Sequence, residues 1–169
     1  LDLDSGYVSE INAAIPGWIA MLSGWLQEGV ILLIDYGFPR REYYHPDRRN
    51  GTLMCHYRHH SHGDPLRLAG IQDITAHVDF TAVAEAADDA GLDVLGFTSQ
   101  AGFLIGNGLP QRMAELVSED AATQARLNHE IQMLTSPAEM GELFKVMALG
   151  RDYNEGLDGF VFRDMRGRL

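Results

Sequence analysis

Residues 29–37, GVILLIDYG, decide the fold that the sequence predicts. The five consecutive apolar residues at 30–34 predict a strand that is buried on both faces, as in a parallel sheet covered by helices. The strand ends at Asp35, Tyr36 and Gly37. Open α/β sheets bind ligands at the carboxyl ends of their strands, so a carboxylate and a phenol here indicate a site. A purely structural turn uses the same residue types, and this alternative stays open.

Helical patterns lie on both sides of this strand. Apolar residues recur at helical spacing from Ile15, and Gly29 is expected to end that helix as its C′ residue. Asp79 is expected to cap a second helix, which ends at Gly91. An interrupted amphipathic helix follows from Gln111. The S-x-x-E spacing at 136–139 predicts a capping box that restarts a short helix.

Two further strands are predicted at residues 92–98 and 144–149, with a short helix or close-packed loop at 100–108. Helices alternating with strands predict an α/β domain. Three strands make a thin sheet, so the first one needs a neighbour that this sequence does not contain.

The segment 38–72 has no sustained period, and a segment this long is functional, disordered or conceals a hairpin. We favour a hairpin with arms at 41–45 and 52–58 and with Asn50 and Gly51 at its turn.

Length and charge limit the class of protein. The 169 residues suffice for one domain, and the formal net charge of -11 argues against nucleic acid or an anionic membrane as the principal partner. The single cysteine, Cys55, excludes an intrachain disulfide and fits a reducing compartment. No apolar run reaches the length of a bilayer span, and no signal-peptide pattern is present. Because the first residue is Leu1 rather than Met, we expect a longer polypeptide.

Residues 55–64 hold a group of potential zinc ligands. They are Cys55, His56, His59, His60, His62 and Asp64. Imidazole, thiolate and carboxylate all bind zinc, but the spacing lacks the paired order of known ligand sets. A polar hairpin explains the group better, so no metal site is predicted.

A group of arginines overlaps the same region of an otherwise acidic chain. It comprises Arg40, Arg41, Arg48, Arg49, Arg58 and Arg67. Either an acidic partner binds there or the arginines belong to a solvated loop. The glycines at 102, 106 and 108 do not match G-x-G-x-x-G, so close packing explains them better than a nucleotide loop.

The stretch 73–80, DITAHVDF, places an imidazole between carboxylates. Asp73 and Asp79 are expected to raise the pKa of His77, which suits proton transfer or the orientation of a guanidinium group. Alternatively, Asp79 only caps a helix and His77 is a hydrogen-bonded structural residue.

Several of these motifs, in fixed order, closely resemble the C-terminal part of the MidA family. They are GVILLIDYG, Arg40, GTLMCHYRHH at 51–60, DITAHVDF, Gly91-Leu92 and SQAGFLIGNG at 99–108, with SEIN at 9–12 and LDGF at 157–160 extending the match. MidA proteins are class I S-adenosylmethionine-dependent methyltransferases, and similar mitochondrial proteins methylate an arginine of a respiratory complex I subunit.

The resemblance implies the C-terminal half of a Rossmann-like class I methyltransferase sheet, with 38–72 as a hairpin-containing insertion on the substrate side. Residues 29–37 correspond to the fifth of seven strands, and the strands at 92–98 and 144–149 to the sixth and the seventh. The seventh lies antiparallel between the other two. The family's glycine-rich cofactor loop, the acidic residue after its second strand and its NE-x-x-DA-x-P segment are absent from this sequence. We therefore expect an exposed apolar edge or face on the first strand, unless another chain covers it.

The resemblance also implies a function. We expect a methyltransferase that uses S-adenosylmethionine to modify a protein side chain, with arginine as the acceptor, while residues 1–169 alone are inactive. The predicted catalytic residues on the acceptor side are Asp35, Tyr36, His77, Asp79 and Gln100.

Beyond the protein substrate, we expect self-association or pairing with the missing N-terminal part, and a location in the bacterial cytoplasm. The alternative, which the absent cofactor loop favours, is a binding or assembly module without chemistry of its own.

Overall fold

A computed structural model describes Leu3 and residues 5–169, which form a mixed α/β structure. The helices are α1 (Ile15–Trp25), α2 (Arg40–Tyr43), α3 (Phe80–Asp89), α4 (Gln100–Gly106), α5 (Leu109–Glu115), α6 (Ala121–Thr135) and α7 (Met140–Leu143). The strands are β1 (Gly29–Phe38), β2 (Met54–Tyr57), β3 (His60–His62), β4 (Asp73–Thr75), β5 (Val78–Asp79), β6 (Asp93–Ser99) and β7 (Phe144–Arg151). No helix in the described part of the chain has the length and apolar character needed to cross a membrane.

The larger sheet has the strand order β5-β1-β7-β6. β7 lies between β1 and β6 and is antiparallel to both, which confirms the predicted position of the third apolar strand. β5 runs parallel to β1 and pairs with it only at Gly37 and Phe38. A side chain at position 37 would collide with the Val78 carbonyl oxygen, so this close approach requires a glycine.

The two faces of this sheet are covered unequally. Helices α1 and α3 cover one face, where the buried core includes Ile15, Ile19, Phe80, Val83, Ala87, Leu92, Phe97, Met147 and Leu149. On the opposite face Val146 and Ala148 pack with Phe160 from the C-terminal segment. Apolar side chains of β7 are therefore buried on both faces, as is typical of a central strand.

The predicted burial of β1 on both faces is wrong. Ile31 and Leu33 pack against the core beneath α1 and α3. Leu32 and Ile34, on the other face, are 44% and 53% exposed. Before Gly37, the edge of β1 away from β7 has no strand partner among the described residues. The expectation of an exposed apolar edge or face on this strand is thus confirmed.

Helix ends follow the prediction in part. α1 ends at Trp25 with Leu26 as its C-cap, so Gly29 begins β1 instead of ending the helix. α3 begins after Asp79 as predicted, and Gly91, with φ of 70°, follows its end. The capping box at 136–139 is wrong, because α7 begins only at Met140 and no side chain caps it.

The segment 38–72 contains a hairpin, and the predicted arm at 52–58 includes its first strand, β2, but the predicted arm at 41–45 and the predicted turn are wrong. Residues Arg40–Tyr43 form a helical turn, since the Pro39 carbonyl accepts hydrogen bonds from the N–H groups of Glu42 and Tyr43. The hairpin joins β2 and β3, and its turn consists of Arg58 and His59.

Both turn residues have positive φ, 47° and 66°, as a two-residue hairpin turn of type I′ requires. Arg and His are unusual at such positions, so the sequence pattern pointed instead to Asn50 and Gly51. Asn50 forms an isolated bridge with Val8. β4 pairs with the other side of β2 and completes a small three-stranded sheet, β3-β2-β4.

Candidate active site

The carboxyl ends of β1 and β5 border a cleft of about 610 Å³. Its lining comprises Glu10, Ile11, Asn12, Ile15, Trp18, Asp35, Tyr43, Tyr44, Leu53, Ala76, His77, Val78, Asp79, Ala82 and Val83. Three of the five predicted catalytic residues, Asp35, His77 and Asp79, are therefore brought to one cavity. Tyr36 lies beside it, with its ring 5.4 Å from the imidazole of His77.

Asp35 is exposed near the end of β1. Its Oδ1 accepts a hydrogen bond of 2.8 Å from the N–H of Tyr36, and no other hydrogen bond or ion pair involves this carboxylate among the described residues. A carboxylate has about four lone-pair sites, so most of its capacity is free for a ligand.

His77 lies between two aromatic rings. The imidazole makes edge contacts with Tyr36 and, at 5.1 Å, with Phe38. Nδ1 is buried and has no hydrogen-bond partner among the described residues. Burial lowers the pKa of His77, and the positive charge of Arg48 lowers it further.

The predicted rise in the pKa of His77 is therefore wrong. Glu10 and Asp35 act in the expected direction, but burial outweighs them. The imidazole is thus neutral at pH 7, the form in which it accepts a proton.

Asp79 combines two structural roles. Its Oδ1 accepts hydrogen bonds from the N–H groups of Thr81 and Ala82, at 3.0 and 3.2 Å, which caps α3 as predicted. Its Oδ2 lies 3.2 Å from Nε of Arg40, whose other nitrogens bind Glu85. The carboxylate is thus largely occupied by its own chain, and its catalytic role stays a prediction.

Gln100 lies away from the cleft lining. It is the first residue of α4, immediately after β6, and its Nε2 donates a hydrogen bond of 2.9 Å to the Leu134 carbonyl. The amide therefore joins α4 to the end of α6. Its predicted catalytic role receives no support from this position.

Three charged residues near His77 are absent from the predicted set. Arg48 lies over the ring of Phe38 at 3.9 Å, and Lys145 lies 5.3 Å from the same ring. Lys145 is the only lysine in the sequence and is 3% exposed. Its amino group donates to the carbonyls of Glu142 and Leu143, and burial lowers the pKa of Lys145.

A signal for Lys145 was present in the sequence, because a lysine inside an apolar strand is unusual. Glu10, the third missed residue, lies in the SEIN segment and had no assigned role. Its contacts join the cleft to the insertion.

The candidate zinc ligands do not converge. Within residue 3 and residues 5–169, no group of three or more His, Cys, Asp and Glu side chains is arranged to hold a metal ion. Cys55 is fully buried, while His56, the next residue of β2, is exposed. This alternation is the one expected for adjacent residues of a strand.

Three of the six grouped arginines contact other groups of the chain, among them Arg58, whose guanidinium lies 5.3 Å from the ring of Tyr57. Arg40 pairs with Asp79 and Glu85, and Arg48 stacks on Phe38 and donates to the Glu42 carbonyl. The acidic partner stays a prediction. Gly106 packs against the backbone of Asp158, as close packing requires.

Comparisons with known proteins concern most of the chain. A family described as "Putative S-adenosyl-L-methionine-dependent methyltransferase" matches residues 1–98. The mitochondrial protein arginine methyltransferase NDUFAF7 of Danio rerio is 34% identical over 122 residues, which cover 72% of this chain and 27% of that protein. The Rattus norvegicus protein of the same name is 33% identical over 123 residues, with coverages of 72% and 26%. The chain thus spans about a quarter of the length of these curated relatives.

A solved structure is similar over almost the whole chain. It is a crystal structure of a COG1565 superfamily member from Burkholderia thailandensis bound to S-adenosyl-homocysteine. The sequence identity is 48% and the TM-score is 0.94, and the match covers 99% of this chain and 43% of that chain.

Proposed function

The chain belongs to this family of S-adenosyl-L-methionine-dependent methyltransferases, and we propose that it builds the acceptor side of the active site, where it binds the guanidinium group of a protein arginine. The named activity of the NDUFAF7 relatives supports arginine as the acceptor. We further propose that β1, β6 and β7 are the fifth, sixth and seventh strands of a larger sheet. The open edge of β1 and the partial coverage of the similar structure support this arrangement.

The charge of the cleft is the observation that carries the proposal. Its described lining includes the carboxylates of Glu10, Asp35 and Asp79 and neither lysine nor arginine; Arg40 pairs with Asp79, so the uncompensated negative charge is that of Glu10 and Asp35. A cavity with one sign of charge concentrates ligands of the opposite sign. The rings of Trp18 and Tyr44 also line it, and aromatic faces attract guanidinium groups.

Asp35 and His77 have complementary roles in this proposal. The free carboxylate of Asp35 accepts N–H groups of the guanidinium, fixes its plane and directs one nitrogen at the methyl donor. Methylation of that nitrogen releases one proton, because the product keeps the single positive charge of the substrate. His77 lines the same cleft in its neutral form and accepts this proton.

The cofactor supplies the methyl group, but the described cleft residues do not fit its nucleoside part. A glycine-rich turn is the usual cradle for a nucleotide, and no glycine belongs to the described lining. Gly37, the nearest glycine in β1, is packed against Val78. This favours a cofactor site built by residues outside this cleft.

A binding experiment with matched ligands tests the proposal. N-acetyl-arginine methylamide is titrated into the 169-residue chain while the NMR signals of Trp18 and His77 are recorded. The citrulline analogue has nearly the same shape without the charge and serves as the control ligand. We expect the arginine compound alone to shift these signals, and Asp35→Asn to weaken its binding. Equal effects of both compounds, or none, would refute a guanidinium site.

The absence of a glycine from the described part of the cleft lining also favours a second candidate, a binding or assembly module without chemistry. Calorimetry with S-adenosylmethionine does not separate the two, because a binding module would also bind it weakly or not at all, whereas methyl transfer by a chimera does separate them. The proposal expects weak or no binding by residues 1–169, together with transfer of a radiolabelled methyl group once they replace the matching segment of the Burkholderia thailandensis protein. If that protein methylates arginine and the chimera does not, the binding module is favoured.

A further inference from the structure

The carboxylate of Glu10 lies in the cleft wall but turns its oxygens to the backbone of the insertion. Oε1 accepts hydrogen bonds from the N–H groups of Thr52 and Leu53, at 3.0 and 2.8 Å. Oε2 accepts from the same Thr52 N–H at 3.0 Å and from its hydroxyl group at 3.3 Å. Burial by itself raises the pKa of Glu10, yet these backbone hydrogen bonds bring about a net decrease.

Glu10 therefore differs from Asp35 although both line the same cleft. Asp35 has one backbone partner, whereas the oxygens of Glu10 accept from two backbone N–H groups, the Thr52 hydroxyl group and, at 3.5 Å, the Tyr43 hydroxyl group. A guanidinium ligand would have to displace these bonds before it could bind Glu10. This carboxylate is consequently poorly suited to bind a ligand, and instead it holds the backbone of Thr52 and Leu53 in place.

The hydrogen bonds that begin at Glu10 continue through the hydroxyl group of Thr52 to His77. The N–H of His77 donates a hydrogen bond of 3.0 Å to Oγ1 of Thr52. His77 lies in the two-residue connection between β4 and β5, outside the strand ladders, so the hydroxyl group is its substitute partner. Gly51 has φ of 76°, and a side chain there would collide with the Glu10 carboxylate, which shows how closely the two segments approach.

We propose that Glu10 is a positioning residue: through Thr52, its carboxylate fixes the backbone at His77 and thereby holds the imidazole between Tyr36 and Phe38. Its importance for methyl transfer rests on the proposed function, whereas the positioning itself does not. Three segments that are distant in sequence, at 10, 52 and 77, meet in this chain of hydrogen bonds.

NMR of the 169-residue chain tests the positioning without cofactor or acceptor. The ring protons of His77 are shifted by the neighbouring aromatic rings, and these shifts report the position of the imidazole. Thr52→Val removes the hydroxyl group, keeps the backbone N–H for Glu10 and changes no charge. We expect the His77 signals to move toward those of a free histidine and the pKa of His77 to rise toward 6.5, its value without burial.

Matched variants complete the test. Thr52→Ser restores the hydroxyl group and should restore the His77 signals. Glu10→Gln brings an NH₂ group against backbone donors and should displace His77 as Thr52→Val does, while Glu115→Gln, on the exposed helix α5, should have no effect. If Glu10→Gln does not fold, the two Thr52 variants decide. Wild-type His77 signals in folded Thr52→Val would overturn the proposal.

A second readout separates this proposal from the proposed function. If both are correct, the affinity for N-acetyl-arginine methylamide falls roughly fivefold in Thr52→Val, the factor that one net hydrogen bond is worth, and returns in Thr52→Ser. If the His77 signals move and no variant binds the arginine compound, the positioning stands and the guanidinium site fails.

Discussion

β7 and β1 are both apolar strands, yet only β7 is a central strand in the described structure. From Lys145 to Gly150 every residue of β7 is buried, because β1 and β6 flank it and packed side chains cover both of its faces. β1 exposes Leu32 and Ile34 and has an open edge. Apolar composition thus predicts that other elements pack on a strand. It does not identify those elements, because they come from elsewhere in the protein.

Replacing the same residue type in the two strands should give the largest contrast. Leu149 in β7 is fully buried, so Leu149→Ala should lower the free energy of unfolding by about 2–5 kcal/mol through lost burial and a cavity. Leu32 in β1 is exposed on its outer side, so Leu32→Ala should lower it by less than about 1 kcal/mol. Urea unfolding followed by circular dichroism measures both. Equal losses would mean that another molecule covers β1 in solution.

Asp79 lies in β5, the strand that pairs with the carboxyl end of β1, and variants at this position measure how much its contacts stabilise that end. Asp79→Ala should lower the free energy of unfolding by about 0.5–2 kcal/mol, because the N-terminus of α3 loses its cap. Asp79→Asn keeps a capping oxygen and loses only the charge facing Arg40, a partly exposed pair worth about 1 kcal/mol or less. Thermal unfolding of both variants separates the cap from the ion pair. A larger loss in Asp79→Asn would contradict the assignment of the cap as the main role.

The parts of the fold that sequence predicts well depend on neighbours along the chain. The cap at Asp79 is an example, because its partners, Thr81 and Ala82, lie within three residues. The strands β1, β6 and β7 were also predicted, since short apolar runs bounded by turn residues are local signals. The hairpin turn at Arg58 and His59 was missed because neither residue type favours positive φ.

The candidate site was harder to predict because its chemistry depends on distant segments. Neighbouring carboxylates in sequence suggested a raised pKa for His77. In the structure, Phe38 and Tyr36 bury the imidazole, Arg48 adds a positive charge, and Asp79 turns toward α3. The linear pattern singled out a residue that lines the cleft but gave the wrong direction for its pKa.

The open edge of β1 predicts weak self-association of this chain. Exposed strand edges with apolar side chains pair with other strands, and a lysine on such an edge opposes pairing. Ile34→Lys should therefore reduce the dimer fraction in sedimentation velocity at high protein concentration, while the free energy of unfolding changes by about 0.5 kcal/mol or less. Val161→Lys, at another exposed apolar residue outside the sheet, is the matched control. An unchanged dimer fraction in Ile34→Lys would show that β1 is not the contact.

The smallest expected effect is a pH dependence that comes from His77 beside the end of β1. Because its pKa is lower in the folded chain than the usual 6.5, the unfolded chain binds more protons as the pH falls below 6.5. The contribution of His77 to stability is complete above pH 6.5 and is lost as the pH falls through its folded pKa. The loss that comes from His77 begins at pH 6.5, whereas Glu10, with its lowered pKa, contributes to the pH dependence only at lower pH.

Urea midpoints at pH 7.5 and pH 5.5 measure this contribution as a difference between chains. The wild-type chain should lose more stability between these pH values than His77→Gln, which has no imidazole to protonate. His129→Gln, on the exposed face of α6, should lose as much as the wild type, because water surrounds His129 in both states. If His77→Gln keeps the full pH dependence, the imidazole is not buried in solution. The aromatic contacts at the end of β1 would then be as open as its edge.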